Sequence, residues 1–291
     1  MEKLNLFDEI SRNQTRSTLM IIFVLLLFIG ISWAFSFLIG LGDLGFILIL
    51  GFFIIYMIYM YSSGDKFVLN MSGAKSVERK EYPFLYDIVE GMAIAHHIPT
   101  PKVYIVQDPS PNAFAVGTKP ENASIAVTTG LLKTLNNEEL EGVISHEISH
   151  IANYDVRFLM YTVVMLGAIA LLAELGVRIF AGQGSGRRNL GPFALILIVL
   201  MVLAPIFGTL VRFALSRERE YLADTNGARI TRNPEGLAKA LEKIRRLKIP
   251  TEKATDTTAA LYFSNPFPNR IEFLFSTHPP IGERVKRLKS L

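Results

Sequence analysis

Apolar positions along this chain follow two patterns. Long unbroken runs extend from about Leu19 to Leu41, Leu44 to Tyr61, Phe158 to Phe180 and Phe193 to Leu215. The first two contain no charged residue, and each matches the roughly 20 residues that a helix needs to cross hydrocarbon. Their closeness makes them a helical hairpin. The first run is too long for a signal-peptide core and lacks a small-residue cleavage site, so it reads as a retained anchor. The third and fourth runs flank "AGQGSGRRNLG" and predict a second hairpin. The third contains Glu174 and Arg178, four apart in the orientation that favours pairing, so it fits either a span or a run shielded by protein.

Elsewhere apolar residues recur with shorter periods. Leu85, Ile88, Val89 and Met92 have helical spacing, and "PTP" ends that helix. "KVYIVQ" alternates like a strand, and "NAFAVG" and "SIAVTTG" read as two strands joined by the turn "TKPENA". Asn136, three residues before Glu139, predicts a capping box. It opens a helix with Leu140, Val143, Ile144, Ile148 and Ile151 on its buried stripe. "SREREYLADTNGARI" and "NPEGLAKALEKIRRLKI" predict two more helices, and "TEKATDTTAA" reads as a mobile loop. The expected fold is α+β, mostly helical, with up to four transmembrane helices and a small β-sheet. The division is a tail and first hairpin over 1–62, a soluble part over 63–156, a second hairpin over 157–215 and a second soluble part over 216–291.

Half of the residues are hydrophobic, which agrees with an integral membrane protein. The net charge of +4 is modest. Arg245, Arg246, Lys248, Lys286, Arg287 and Lys289 are interleaved with Glu and Leu, as on a solvated helix face near an anionic membrane, and nucleic-acid binding is not expected. With no cysteine, disulfides, thiol nucleophiles and thiolate metal sites are excluded. Any metal must be held by histidine and carboxylate.

Two of the five histidines stand in "HEISH". On a helix, His146 and His150 share a face and can offer two imidazole nitrogens to one ion. Glu147 is rotated by roughly 100° from His146, outside the ligand pair but beside the ion. Two imidazoles and a third protein ligand leave one position on zinc for water. Zinc lowers that water's pKa toward about 7, and Glu147 can take its proton. Glu220 and Asp224 share a face of a later helix. Glu220 could supply the third ligand while Asp224 accepts an N–H from a ligand histidine, although Arg217, Glu218, Arg219 and Glu220 also fit a charged helix surface. Whether the second hairpin spans or only dips in, it returns the chain to the side it left, so the two half-sites can meet. Asn153 and Asp155 either support the site or make a helix-end hydrogen bond and a pairing with Arg157 or Arg219. The adjacent His96 and His97 read as structural.

"HEISHIANYD", a hydrophobic hairpin and "SREREYLADTNGA" together resemble the HtpX proteases, bacterial membrane-embedded zinc metallopeptidases related to the CAAX prenyl proteases. The resemblance extends to the first hairpin, "PNAFAVG" and "STHPP". It implies a gluzincin-type protease domain holding one zinc ion per chain, with Glu220 rather than Glu218 as third ligand and Asp224 behind it. It also implies that Asn112, Ala113, Phe114 and Ala115 lie on a strand beside the active site that can receive substrate as an added strand. It places His278 near the metal as a group that stabilises the oxyanion or positions substrate.

The expected activity is endopeptidase cleavage of membrane or misfolded polypeptides in the bacterial cytoplasmic membrane. Lys3, Arg12 and Arg16 before the first hairpin, against a lone Asp43 in its link, put the site on the cytoplasmic side. Arg178, Arg187 and Arg188 point the other way if the second hairpin spans. The rival readings are a CAAX-type prenyl-protein protease and a scaffold with a vestigial zinc site. The sequence does not give the oligomeric state.

Overall fold

The computed structural model describes residues 40–157, 217–255, 258–267 and 279–291, with scattered positions between 15 and 37 and between 159 and 163. The second hairpin, with Glu174, Arg178, Arg187 and Arg188, lies almost wholly outside the described residues, and His278 lies outside them too.

Helix α1, Gly42–Met71, has 30 residues and a length of about 45 Å. Among the described residues it is the one helix long and apolar enough to cross a membrane, and only 17% of its most apolar stretch is buried within the protein. Phe28 stacks on Phe53 at 4.3 Å between centroids, so the first two apolar runs touch as a hairpin should. The helix does not stop at Tyr61. No proline interrupts Ser62 to Lys66, and Val68 and Leu69 on its last turns are fully buried in the core of the soluble part. The apolar helix therefore continues, without a break, into the core formed by the sheet and helices that follow.

Four strands form one mixed sheet: β1 (Ala74–Ser76), β2 (Lys102–Val106), β3 (Ala113–Val116) and β4 (Ser124–Thr128), in the order β1-β2-β4-β3. The expected hairpin is β3–β4, with Phe114 opposite Ala126. β2 pairs with β4 in parallel, Val103 opposite Ile125, and this leaves β3 on the edge. The three-residue β1 was not legible in the alternation.

The remaining helices are α2 (Pro83–Ala95), α3 (Thr129–Thr134), α4 (Asn137–Ala152), α5 (Arg217–Thr231), α6 (Pro234–Leu247) and α7 (Ile281–Leu288). The capping box on α4 is present in both directions. Asn136 accepts from the Glu139 amide at 2.9 Å, and Glu139 accepts from the Asn136 amide at 2.9 Å. Glu139 also receives Lys243 of α6 at 2.7 Å, which ties the start of α4 to its neighbour. The predicted stripe of α4 is wholly buried. The segment expected as a mobile loop is held by turns instead: Thr251 and Thr258 are buried, Thr251 donates its amide to Pro266 at 3.0 Å, and Thr255 and Thr258 bond reciprocally. Its threonines serve internal hydrogen bonds, while Glu252 and Lys253 face solvent.

Two glycines set how closely α5 and α6 approach α4. A Cβ at Gly142 would stand 3.0 Å from the Leu237 backbone, and one at Gly227 would stand 3.2 Å from the His146 amide nitrogen. Neither neighbour can retreat, because each belongs to a packed helix backbone. Gly142→Leu is expected to lower stability by about 1–3 kcal/mol, seen as a fall of several degrees in the melting midpoint in detergent. An unchanged midpoint would contradict this helix packing.

Candidate active site

Helix α4 points His146 and His150 to one side, and α5 lays Glu220 across them. All are buried. The two Nε2 atoms are 3.1 Å apart, Glu220 Oε1 is 3.4 Å from His150 Nε2, and Glu220 Oε2 is 3.8 Å from His146 Nε2. Three donors bound at about 2.0–2.1 Å to a tetrahedral ion stand roughly 3.4 Å from one another. The three side chains thus fit one metal ion with one ligand atom each. Glu147 is buried and lines the same small cavity, together with Ala115, Leu261, Tyr262 and Phe263.

Each histidine has its own carboxylate behind it. His146 Nδ1 faces Asp224 at 2.9 Å, and His150 Nδ1 faces Asp155 at 3.0 Å. An Nδ1–H donated to a carboxylate leaves Nε2 as the free acceptor and fixes the ring about that bond. Asp155 stands just beyond the end of α4, where the chain turns through Tyr154 at φ 60°. It also meets Arg219 of α5 at 3.7 Å, so the two alternatives open for it in the sequence both occur. Asn153 caps the end of α4 and reaches Ser149 at 3.5 Å.

The residue that sequence reasoning missed is Arg284 on α7. It is 1% exposed, and its guanidinium forks onto Asp224 with bonds of 2.8 and 2.7 Å. Its third nitrogen is 3.7 Å from Glu220. One buried cation therefore fixes the carboxylate behind His146 and faces the third member of the triad. No local pattern marks it, because α7 reads as an ordinary amphipathic basic helix.

These neighbours set the protonation states. Burial pushes His146 down to about 4, against the pull of Asp224, so this imidazole is neutral near pH 7. Burial would raise Asp224, but Arg284 and the His146 hydrogen bond prevail and hold it at about 2. Burial would likewise lower His150, but Asp155 and Glu220 outweigh it and raise its pKa well above the ordinary value. His96, as expected, is structural: it meets Ser145 at 3.1 Å, and burial lowers its pKa to about 4.

The expected substrate strand coincides with β3, and Ala115 borders the cavity. All of Asn112 to Ala115 are buried, and the outer edge is partly covered by the chain itself. Phe114 forms an antiparallel bridge with Tyr262, and Phe263 donates its amide to Ala113 at 2.8 Å.

Comparison with known proteins agrees with this arrangement. The chain is 43% identical to the protease HtpX homolog of Dictyoglomus turgidum over its whole length and 96% of that protein. It is 42% identical to the protease HtpX homolog of Streptococcus gordonii, covering 98% of this chain and 100% of that protein. The crystal structure of S. mikatae Ste24p superposes with a TM-score of 0.53 at 16% identity, covering 96% of this chain and 67% of that one. At that identity the likeness concerns the fold. The profile of peptidase family M48 matches residues 80–291, the span that carries every described residue of the site. A histidine pair, a facing glutamate and a second glutamate beside them, within this profile and with full-length protease relatives, establish that the chain belongs to peptidase family M48 and is a metalloprotease.

Proposed function

We propose that the chain is a zinc-dependent endopeptidase of the bacterial cytoplasmic membrane, with His146, His150 and Glu220 as zinc ligands and Glu147 as general base. The observation that carries this reading is the meeting of α4 and α5 in one small cavity. Three donors there have the spacing of a single ion, and a fourth, acidic side chain stands beside them. When bound, the ion supplies Lewis acidity at the scissile carbonyl and lowers the pKa of a water molecule toward about 7. Zinc suits a site of two imidazoles and one carboxylate with no sulfur ligand.

The chain's own residues divide the remaining work. Glu147 accepts the proton of the attacking water and passes it to the leaving amine. Asp224 and Asp155 hold the two imidazoles in orientation, and Arg284 keeps Asp224 ionised and aimed. Asn112 to Ala115 align an extended peptide by main-chain hydrogen bonds. His278 acts on the oxyanion or places the substrate, as the family resemblance suggests. Lys66, Lys75, Arg79 and Lys80 cluster where α1 leaves its apolar stretch, which supports a site facing the cytoplasm. The two parts of the protease domain, 63–156 and 216–291, then flank the second hairpin. The substrates are membrane or misfolded polypeptides, and the role is quality control in the membrane.

Purification in detergent under chelation, followed by zinc titration and assay on casein, tests this reading. The wild type should bind one zinc and cleave, whereas Glu147→Gln should bind the same zinc and cleave about 10²–10⁴-fold more slowly. Cleavage by Glu147→Gln at the wild-type rate would refute the role of the glutamate. Asp155→Asn and Asp224→Asn should each weaken zinc binding by about 10–100-fold, and an unaltered affinity would refute the positioning of the imidazoles. The pH dependence follows from His150. Its pKa is raised in the metal-free site and its proton must leave on binding, so zinc affinity should rise with pH up to that pKa, with proton release. His146, already neutral above about 4, adds nothing to the slope near neutrality. Affinity independent of pH between about 6 and 8 would contradict this.

A further inference from the structure

The edge of β3 is occupied by a short stretch of the same chain in the manner of a bound peptide. Tyr262 sits opposite Phe114 in an antiparallel bridge, and the Phe263 amide donates to the Ala113 carbonyl at 2.8 Å. The Asn112 side chain then treats Ser264 as a strand neighbour would. Its Oδ1 accepts the Ser264 amide at 3.1 Å, and its Nδ2 donates to the Ser264 carbonyl at 3.1 Å.

Side chains alternate across this added segment as they would in a strand. Tyr262 packs edge-to-face on Phe114 at 4.9 Å, on the bridged face. Phe263 turns the other way and sets its ring against His146 at 5.1 Å and under the Arg284 guanidinium at 5.0 Å. Leu261, Tyr262 and Phe263 close the cavity that holds His146, Glu147, His150 and Glu220. That cavity has room for about one water. Among the described residues, the segment fills the space beside Glu147 that a peptide added to β3 would need.

We propose that residues 261–264 are an internal strap that holds the substrate's place on β3, and that an extended polypeptide enters the site by displacing it. The proposal rests on the protease reading above and names the regulation and substrate class of that same site. The exchange is nearly balanced in energy. A substrate strand would make the same main-chain bonds to Ala113 and to the Asn112 amide, and it would refill the same apolar space. Because Asn112 reads backbone rather than side chain, the site accepts many sequences. Its demand is for an unfolded, extended segment with a bulky apolar residue where Phe263 now lies. A folded polypeptide cannot offer such a strand, so the strap discriminates against native proteins. Its cost to turnover is the fraction of time that the edge is covered.

The chain has no cysteine, so one engineered pair can lock the strap without a competing thiol. Phe114 and Tyr262 are bridge partners whose flanking residues make the ladder bond, the close type of antiparallel pair suited to a disulfide. The double variant Phe114→Cys, Tyr262→Cys is assayed on casein in its oxidised and reduced forms, with metal content measured in both. The oxidised form should cleave at least about tenfold more slowly than the reduced form, with one metal per chain in each. Equal rates would overturn the proposal.

Hydrogen exchange keeps the test decisive if the double variant does not fold. In full-length Glu147→Gln loaded with zinc, saturating casein should speed amide exchange across 259–266, because the strap is expelled. Unchanged or slower exchange there would overturn the strap. Absence of any metal-dependent cleavage by the wild type would refute the protease reading itself, and the exchange measurement, which needs no turnover, would still decide the strap.

Discussion

Burying several carboxylates together is costly unless each has a partner, and the soluble part of this protein is organised around that constraint. Asp155, Glu147, Glu220 and Asp224 are all nearly inaccessible to solvent and lie around two imidazoles. Two buried arginines offset part of the charge: Arg219 stands beside Asp155, and Arg284 forks onto Asp224 and faces Glu220. A divalent cation between His146, His150 and Glu220 would offset the rest. The site is thus an electrostatic unit in which candidate ligands, carboxylate partners and counter-charges come from α4 and the residues just beyond it, α5 and α7.

This unit explains otherwise unremarkable features of the fold. Gly227 lets α5 run against the backbone of α4 at His146, which brings Glu220 and Asp224 within reach of the histidines. The reciprocal cap at Asn136 and the Lys243 contact fix the start of α4, and Asp155 fixes the ring of His150 just beyond its end. The histidine side of the cavity is tied together by buried ion pairs and hydrogen bonds. Its opposite side is closed by Tyr262 and Phe263, which are held to β3 by a few main-chain and amide hydrogen bonds.

What was legible in the sequence follows the range of each interaction. The spacing of His146, Glu147 and His150, the cap at Asn136 and the buried stripe of α4 are local, and periodicity reported them. The β3–β4 hairpin was legible because a turn of six residues joins two apolar runs. The parallel pairing of β2 with β4 was not, because it depends on register between segments separated by another strand. Arg284 escaped notice because its meaning depends on Asp224, 60 residues away in sequence, and not on its neighbours in α7. The strap escaped for a different reason. Its threonine-rich approach has loop composition, but the hydroxyls of Thr255 and Thr258 bond to each other, the Thr251 hydroxyl accepts from the Asn112 side chain, and the Thr251 amide donates to Pro266.

With His146, His150 and Glu220 brought together, α4 and α5 would jointly hold one metal ion. Zinc-edge X-ray absorption on the purified, zinc-loaded chain reads the ligand shell directly. The expected spectrum has four nitrogen or oxygen neighbours at about 2.0–2.1 Å with the multiple-scattering signature of two imidazoles. A shell of six oxygens with no imidazole signature would show that zinc binds elsewhere, and that His146, His150 and Glu220 do not form the centre.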